Sequence, residues 1–166
     1  SGAGKSSLIN RLTGSADAAV DVVPSTHRQV AHRLVRDGLP EALVIDTPGL
    51  EAADDVAALV QAAEDCDMLL WVSSATRADR AMDRSTLDGI KAAMTAVARP
   101  MPPLVLALTH IDGLRPFGEW SPPLDVNAPQ TAKERSVRAA MEATARELDV
   151  PLAQTIPVRA DTPEAA

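Results

Sequence analysis

Ser1-Gly2-Ala3-Gly4-Lys5-Ser6-Ser7 opens the chain, and the rest of the sequence is read outward from it. These seven residues match the distal half of a phosphate-binding loop, whose full pattern is a glycine, any four residues, then Gly-Lys-Ser or Gly-Lys-Thr. Gly2 and Gly4 can take backbone angles closed to residues with side chains. Consecutive amides along Gly2, Ala3, Gly4, Lys5, Ser6 and Ser7 can therefore turn inward around an anion, and polyphosphate is the anion that fits. Lys5 is placed to reach the β and γ phosphates as a point charge, and the Ser6 hydroxyl to ligate Mg2+. Leu8 to Thr13 continue with helical spacing, so the loop runs into a helix N-terminus whose partial positive charge favours the same anion. For this stretch alone, a small-residue turn ahead of an amphipathic helix is the alternative.

The 166 residues are one domain's worth, and with 46% hydrophobic residues the chain can bury a real core. A net charge of −7 argues against a broad basic surface for RNA, the ribosome or an anionic membrane, although local RNA binding stays open. No apolar run approaches the ~20 residues of a transmembrane helix, and the N-terminus is no signal peptide, so a cytoplasmic protein is the default. Cys66, the single cysteine, lies between Asp65 and Asp67 and is read as structural. Lysine occurs only at Lys5, Lys91 and Lys133, which makes a lysine in the loop less a matter of composition.

Along the chain, Gly14 to Pro24 reads as a loop. The alternation from Gln29 to Arg36 predicts a strand, Asp37-Gly38 a turn, and Leu39 to Asp46 a second strand whose run Ala42 to Ile45 is apolar on both faces, as in a covered sheet. Helical periodicity covers Asp54 to Glu64, Asp83 to Ala98 and Thr131 to Leu148. Buried strands are predicted at Met68 to Val72 and Leu104 to Leu108, with a last short strand at Thr155 to Val158. Gly113 to Pro129 is a long Pro-rich connection. Strands alternating with helices imply a three-layer α/β fold, a mostly parallel sheet with helices on both faces and one antiparallel hairpin strand.

Three landmarks then fall at or just beyond the carboxyl ends of predicted strands, where ligands bind in open α/β sheets. Beside the loop they are Asp46-Thr47-Pro48-Gly49 and Thr109-His110-Ile111-Asp112. Asp46 emerges from an apolar strand and can hold Mg2+ through a water, and Gly49 can offer its amide to the γ phosphate. The Asp112 carboxylate can accept from both the ring N–H and the exocyclic amino group of guanine, a donor pair that adenine lacks. Taken singly, the first motif is also an ordinary Pro-Gly turn and the second a helix or turn cap.

On Gly4 to Asn10, Asp46 to Leu50 and Thr109 to Asp112, the chain resembles P-loop GTPase domains of the Era/TrmE-like, ribosome-binding-type group, and more loosely the YfjP-type branch. The resemblance implies one GTP-binding domain over residues 1–166, truncated at both ends, with a central first strand before Ser1 and a final helix after Ala166. It implies GTP and GDP as ligands with Mg2+, and catalysis by slow hydrolysis in a conformational switch that uses Lys5, Thr26 and Gly49. Thr26, in Pro24-Ser25-Thr26-His27-Arg28, takes the place of the threonine that ligates the metal. His110 stands where the group has a lysine over the base. Arg159 and Ala160 occupy the place of the last base-contacting motif.

Leu50 sits where many GTPases have the water-orienting glutamine, and Gly2 where some relatives bind potassium through an asparagine. His27, Arg28, Arg77 and Arg80 are the remaining candidates to assist hydrolysis, with a homodimer or protein effector to speed it. Two other classes stay open: a module that holds GTP without cleaving it, and a P-loop ATPase or kinase. Phe117 and Trp120 either pin the long connection to the domain or present it to a partner.

Overall fold

The computed structural model describes residues 3–14, 30–47 and 54–159. Helix α1 (Lys5–Thr13) is bracketed by two glycines in the left-handed region, Gly4 at φ 78° and Gly14 at φ 79°. It turns Leu8 and Ile9 inward and packs against a hairpin of β1 (Val30–Leu34) and β2 (Ala42–Asp46). The two strands are antiparallel, with Val30 opposite Asp46 and Leu34 opposite Ala42. Strand β2 begins three residues later than the alternation predicts, because Pro40 has no N–H to give to a ladder.

The second half of the chain alternates as predicted. Helix α2 (Asp54–Asp65), β3 (Leu69–Ser74), α3 (Ala81–Ala96), β4 (Leu104–Thr109), α4 (Ala132–Leu148) and β5 (Thr155–Pro157) follow in order. Strands β3, β4 and β5 are parallel, with β4 in the middle. Leu106 packs with Leu87 of α3 and Leu148 of α4, and Leu108 with Val137 and Met141 of α4. On the other side of α3, Ile90 and Met94 close over Ala63 of α2.

The parallel sheet, the antiparallel hairpin and the helices are those expected, and among the described residues the hairpin β1-β2 and the sheet β3-β4-β5 are separate hydrogen-bonded pieces. One expectation changes, in that the apolar run of β2 is not covered on both faces: Leu43 is 57% and Ile45 43% exposed. The cause lies in edge pairing. Strand β4, bonded along both edges, is buried over nearly its whole length, whereas β2 and β3, each bonded along one edge among the described residues, leave Leu43, Ile45 and Leu70 open. Burial in a sheet follows the number of neighbours, and that number is not written in the strand itself.

Helix α4 governs the long connection before it. Thr131 caps its first turn by accepting from the Glu134 N–H, and Glu134 returns the bond to the Thr131 N–H, completing a capping box. The Glu134 carboxylate also accepts from the N–H groups of Gln130 at 2.8 Å and Asp125 at 2.9 Å. Trp120 packs into the cluster of Leu108, Ile111, Val137 and Met141, while Phe117 stays 66% exposed under the Arg115 guanidinium. Of the two aromatics it is Trp120 that anchors the connection, beside Leu114, Leu124 and Val126.

Candidate functional site

The two sheets meet at the start of α1. Lys5 heads the helix and donates to the Asp46 carboxylate, the last residue of β2, and to the Thr47 carbonyl beyond it. One residue earlier, Gly4 lies against the end of β4. A β-carbon on Gly4 would stand 3.2 Å from Cε1 of His110 and 3.4 Å from Thr109, so only glycine suits both the contact and the φ of 78°. Two residues before Lys5, the Ala3 carbonyl accepts from the fully buried Thr109 hydroxyl at 2.6 Å. The loop is thus held from two sides by residues far along the chain.

Thr109 has one hydroxyl proton and three polar neighbours within reach. Its Oγ1 also lies 3.3 Å from the Ser73 carbonyl and 2.9 Å from His110 Nδ1. A hydroxyl has one proton and a carbonyl can only accept, so with that proton on Ala3 the contact to His110 requires Nδ1 to be the donor. His110 itself takes a left-handed conformation at φ 54°, which turns the chain into a 3-10 helix over Ile111–Gly113. Asp112 is exposed within that turn. It therefore lies on the same rim as Lys5, one short turn past the residues that touch Gly4.

At the head of α1 no side chain among the described residues caps the first N–H groups, and Ser6 and Ser7 are exposed. Amides in that position carry the positive end of the helix dipole and are open to an anion. The structure brings together Ala3, Gly4, Lys5, Asp46, Thr109 and His110. Gly2, Thr26, Gly49 and Ala160, together with His27, Arg28 and Leu50, lie outside the described residues. Arg159 is placed over the Trp120 ring at 5.0 Å, which ties the chain just past β5 to the connection that follows Asp112.

Of the two described arginines considered for hydrolysis, Arg80 is closed off and Arg77 is exposed. Arg80 is buried, donating to the Ser74 carbonyl at 3.0 Å and to Glu147 at 2.9 Å, and so joins the end of β3 to α4. Arg77 faces Asp83 at 3.6 Å. Cys66 is half-buried, and burial first, then Asp67 and Asp65, pushes its thiol above the ordinary range, away from reactivity.

One residue escaped the sequence reading. Lys133, on the first turn of α4, is 1% exposed and donates to the carbonyls of Asp112, at 2.7 Å, and Leu114. Its ammonium lies 5.7 Å from the Trp120 ring centroid. The signal available was the scarcity of lysine, which sequence reading applied to Lys5 alone.

A family model described as 50S ribosome-binding GTPase matches residues 1–109. The chain is 38% identical over 74 residues to the GTPase Der of a Nitratiruptor species, covering 42% of this chain and 16% of that protein. It is 34% identical over 100 residues to the GTPase Era of Acidimicrobium ferrooxidans, covering 57% of this chain and 35% of that protein. The chain thus spans about a third or less of the length of these relatives. Among solved structures, the G domain of the T. maritima FeoB iron transporter superposes with a TM-score of 0.53 at 17% identity, over 96% of this chain and 82% of that one, a likeness of fold.

Proposed function

Because the chain belongs to the family of 50S ribosome-binding GTPases, we propose that its residues form a GTP-binding domain that hydrolyses GTP slowly to GDP and phosphate and acts as a conformational switch. The observation that carries this reading is the double hold on the loop, Lys5 on Asp46 and Thr47 on one side, Ala3 and Gly4 on Thr109 and His110 on the other. A phosphate-binding element and a base-reading turn on one rim suit a single nucleotide. Lys5 exchanges the Asp46 carboxylate for β and γ phosphate oxygens, and the uncapped amides at the head of α1 take the remaining charge. Asp112 accepts from the two guanine donors, while His110, Arg159 and the Ala160 amide border the base.

The donor set suits Mg2+. Ser6 offers a hydroxyl and Asp46 a carboxylate, both hard oxygen ligands, and no group of three or more His, Cys, Asp or Glu among the described residues makes a cage. Such a cation is held by one or two side chains together with phosphate and water. When bound it neutralises charge building on the phosphate oxygens. Thr26 completes this set in the triphosphate state, and Gly49 senses the γ phosphate, so hydrolysis releases both.

With Leu50 in the glutamine position, intrinsic turnover is slow, and a second copy or a protein effector speeds it. That same leucine favours the second reading, binding without hydrolysis. The net charge of −7 gives no broad support to an RNA or ribosome partner. No helix among the described residues is long and apolar enough to cross a membrane. A cytoplasmic location remains part of this proposal.

The test is displacement of labelled GTP from the intact protein. GTP and GDP compete and ATP does not, with Mg2+ present. Equal displacement by ATP would replace the guanine reading with a P-loop ATPase or kinase. Phosphate release at saturating GTP then separates the switch from the module that only binds.

A further inference from the structure

Lysine is among the residues least often fully buried, and when it is, a carboxylate usually accompanies it. Lys133 departs from that pattern. It is 1% exposed, no carboxylate lies within salt-bridge distance of it among the described residues, and its two hydrogen bonds go to main-chain carbonyls of a single turn. That turn carries Asp112. Within it the Gly113 N–H bonds the His110 carbonyl and the Leu114 N–H the Ile111 carbonyl, which leaves the carbonyls at its C-terminal end without a helical partner. The Lys133 ammonium takes two of these, and the face of Trp120 lies beside it at 5.7 Å.

Lys133 is itself set on a braced helix start. It sits in the first turn of α4, between the cap residue Thr131 and Glu134, whose carboxylate binds the N–H groups of Asp125, Gln130 and Thr131. The cation is therefore delivered from a fixed helix start into the back of a turn whose front packs on Gly4 through His110. A buried charge is an expensive way to fill a gap that a methionine would fill. What it adds is direction, because two carbonyls two residues apart are held toward one point.

We propose that Lys133 is a positioning residue for base recognition: by holding the Asp112 and Leu114 carbonyls it sets the orientation in which Asp112 meets the base. This rests on the guanine-nucleotide reading above. The residue touches no nucleotide, so its removal acts on discrimination between bases more than on the grip on phosphate.

The test compares the intact wild-type protein with Lys133→Met, which keeps the volume and removes the donors, and Lys133→Gln, which keeps one donor group. Affinities for GTP, for inosine triphosphate, which lacks the exocyclic amino group, and for inorganic triphosphate are measured on each. In a folded Lys133→Met the preference for GTP over inosine triphosphate falls by about tenfold or more, affinity for inorganic triphosphate holds within about twofold, and Lys133→Gln is intermediate. A folded variant that keeps the wild-type preference within about twofold overturns the proposal, as does an equal loss for all three probes. If neither variant folds, the lysine is structural and the proposal fails. A wild type that does not prefer GTP defeats the underlying guanine reading, and that is seen before any variant is made.

Discussion

Gly4 and His110 stand so close that a single added methyl group on the glycine would lie 3.2 Å from the imidazole Cε1. Gly4→Ala must therefore displace His110 and also hold a side-chain-bearing residue at φ 78°. The left-handed conformation alone costs about 1–2 kcal/mol. We expect a loss of stability of at least that size in urea unfolding, with GTP affinity falling further than ATP's residual binding, because the base-reading turn moves with His110. An alanine variant as stable as the parent would show the contact to be slack.

The Lys5–Asp46 pair separates stability from ligand binding. Both side chains are partly exposed, 33% and 25%, so screening by water limits what the pair adds to folding to about 1 kcal/mol or less. Asp46→Asn should leave the unfolding midpoint nearly unchanged and remove most of the Mg2+ dependence of nucleotide binding. Lys5→Ala should weaken GTP about 10- to 100-fold, the worth of a charge-assisted hydrogen bond. Calorimetric titration with and without Mg2+ distinguishes the two.

Glu134 makes acid stability a local property. Three N–H groups, of Thr131 first and then Asp125 and Gln130, hold its carboxylate at about 2, against an ordinary 4.5. A depressed carboxyl stabilises the fold above its unfolded value and ceases to do so as pH falls through the folded one. Stability is therefore expected to decline between about pH 4.5 and 2. In Glu134→Gln that part of the decline disappears and the whole curve is lower, since an amide NH2 would face N–H donors. Thermal melts across this range check the sign.

Trp120 and Phe117 should behave oppositely. Trp120→Ala removes an aromatic body from the Leu108, Ile111, Val137 and Met141 cluster and the ring beside Lys133 and Arg159. Being only partly buried, it should cost about 2–3 kcal/mol, below the loss for a fully enclosed ring. Phe117→Ala, at an exposed site, should stay within about 0.5 kcal/mol. Denaturant unfolding of both variants suffices.

The order of helices and strands was legible because each carries its own period; Asp46 ends its strand as expected, and β4 runs one residue past the expected Leu108, to Thr109. The proximity of Lys5 to Asp46, across 41 residues, follows from placing both at one rim. Other features belong to pairs rather than to segments. Nothing in Ala42 to Ile45 records how many neighbours flank the strand, so Leu43 and Ile45 read as covered and are open. Lys133 reads as a charge on an amphipathic helix. Its burial depends on a turn 21 residues earlier, whose spare carbonyls become visible only in three dimensions.

Helix α1 is fastened to the hairpin at both ends. Lys5 holds Asp46 and Thr47 at the front, and at the rear the Arg36 guanidinium reaches the carbonyls of Leu12, at 3.0 Å, and Arg11. Any ligand that draws Lys5 off Asp46 unlatches the front and leaves the rear hinged at Arg36. Under the switch proposed above, the exchange of one counter-ion would leave the hairpin tied to the helix by its rear bonds and its packing alone, so that end is where a displacement would be read.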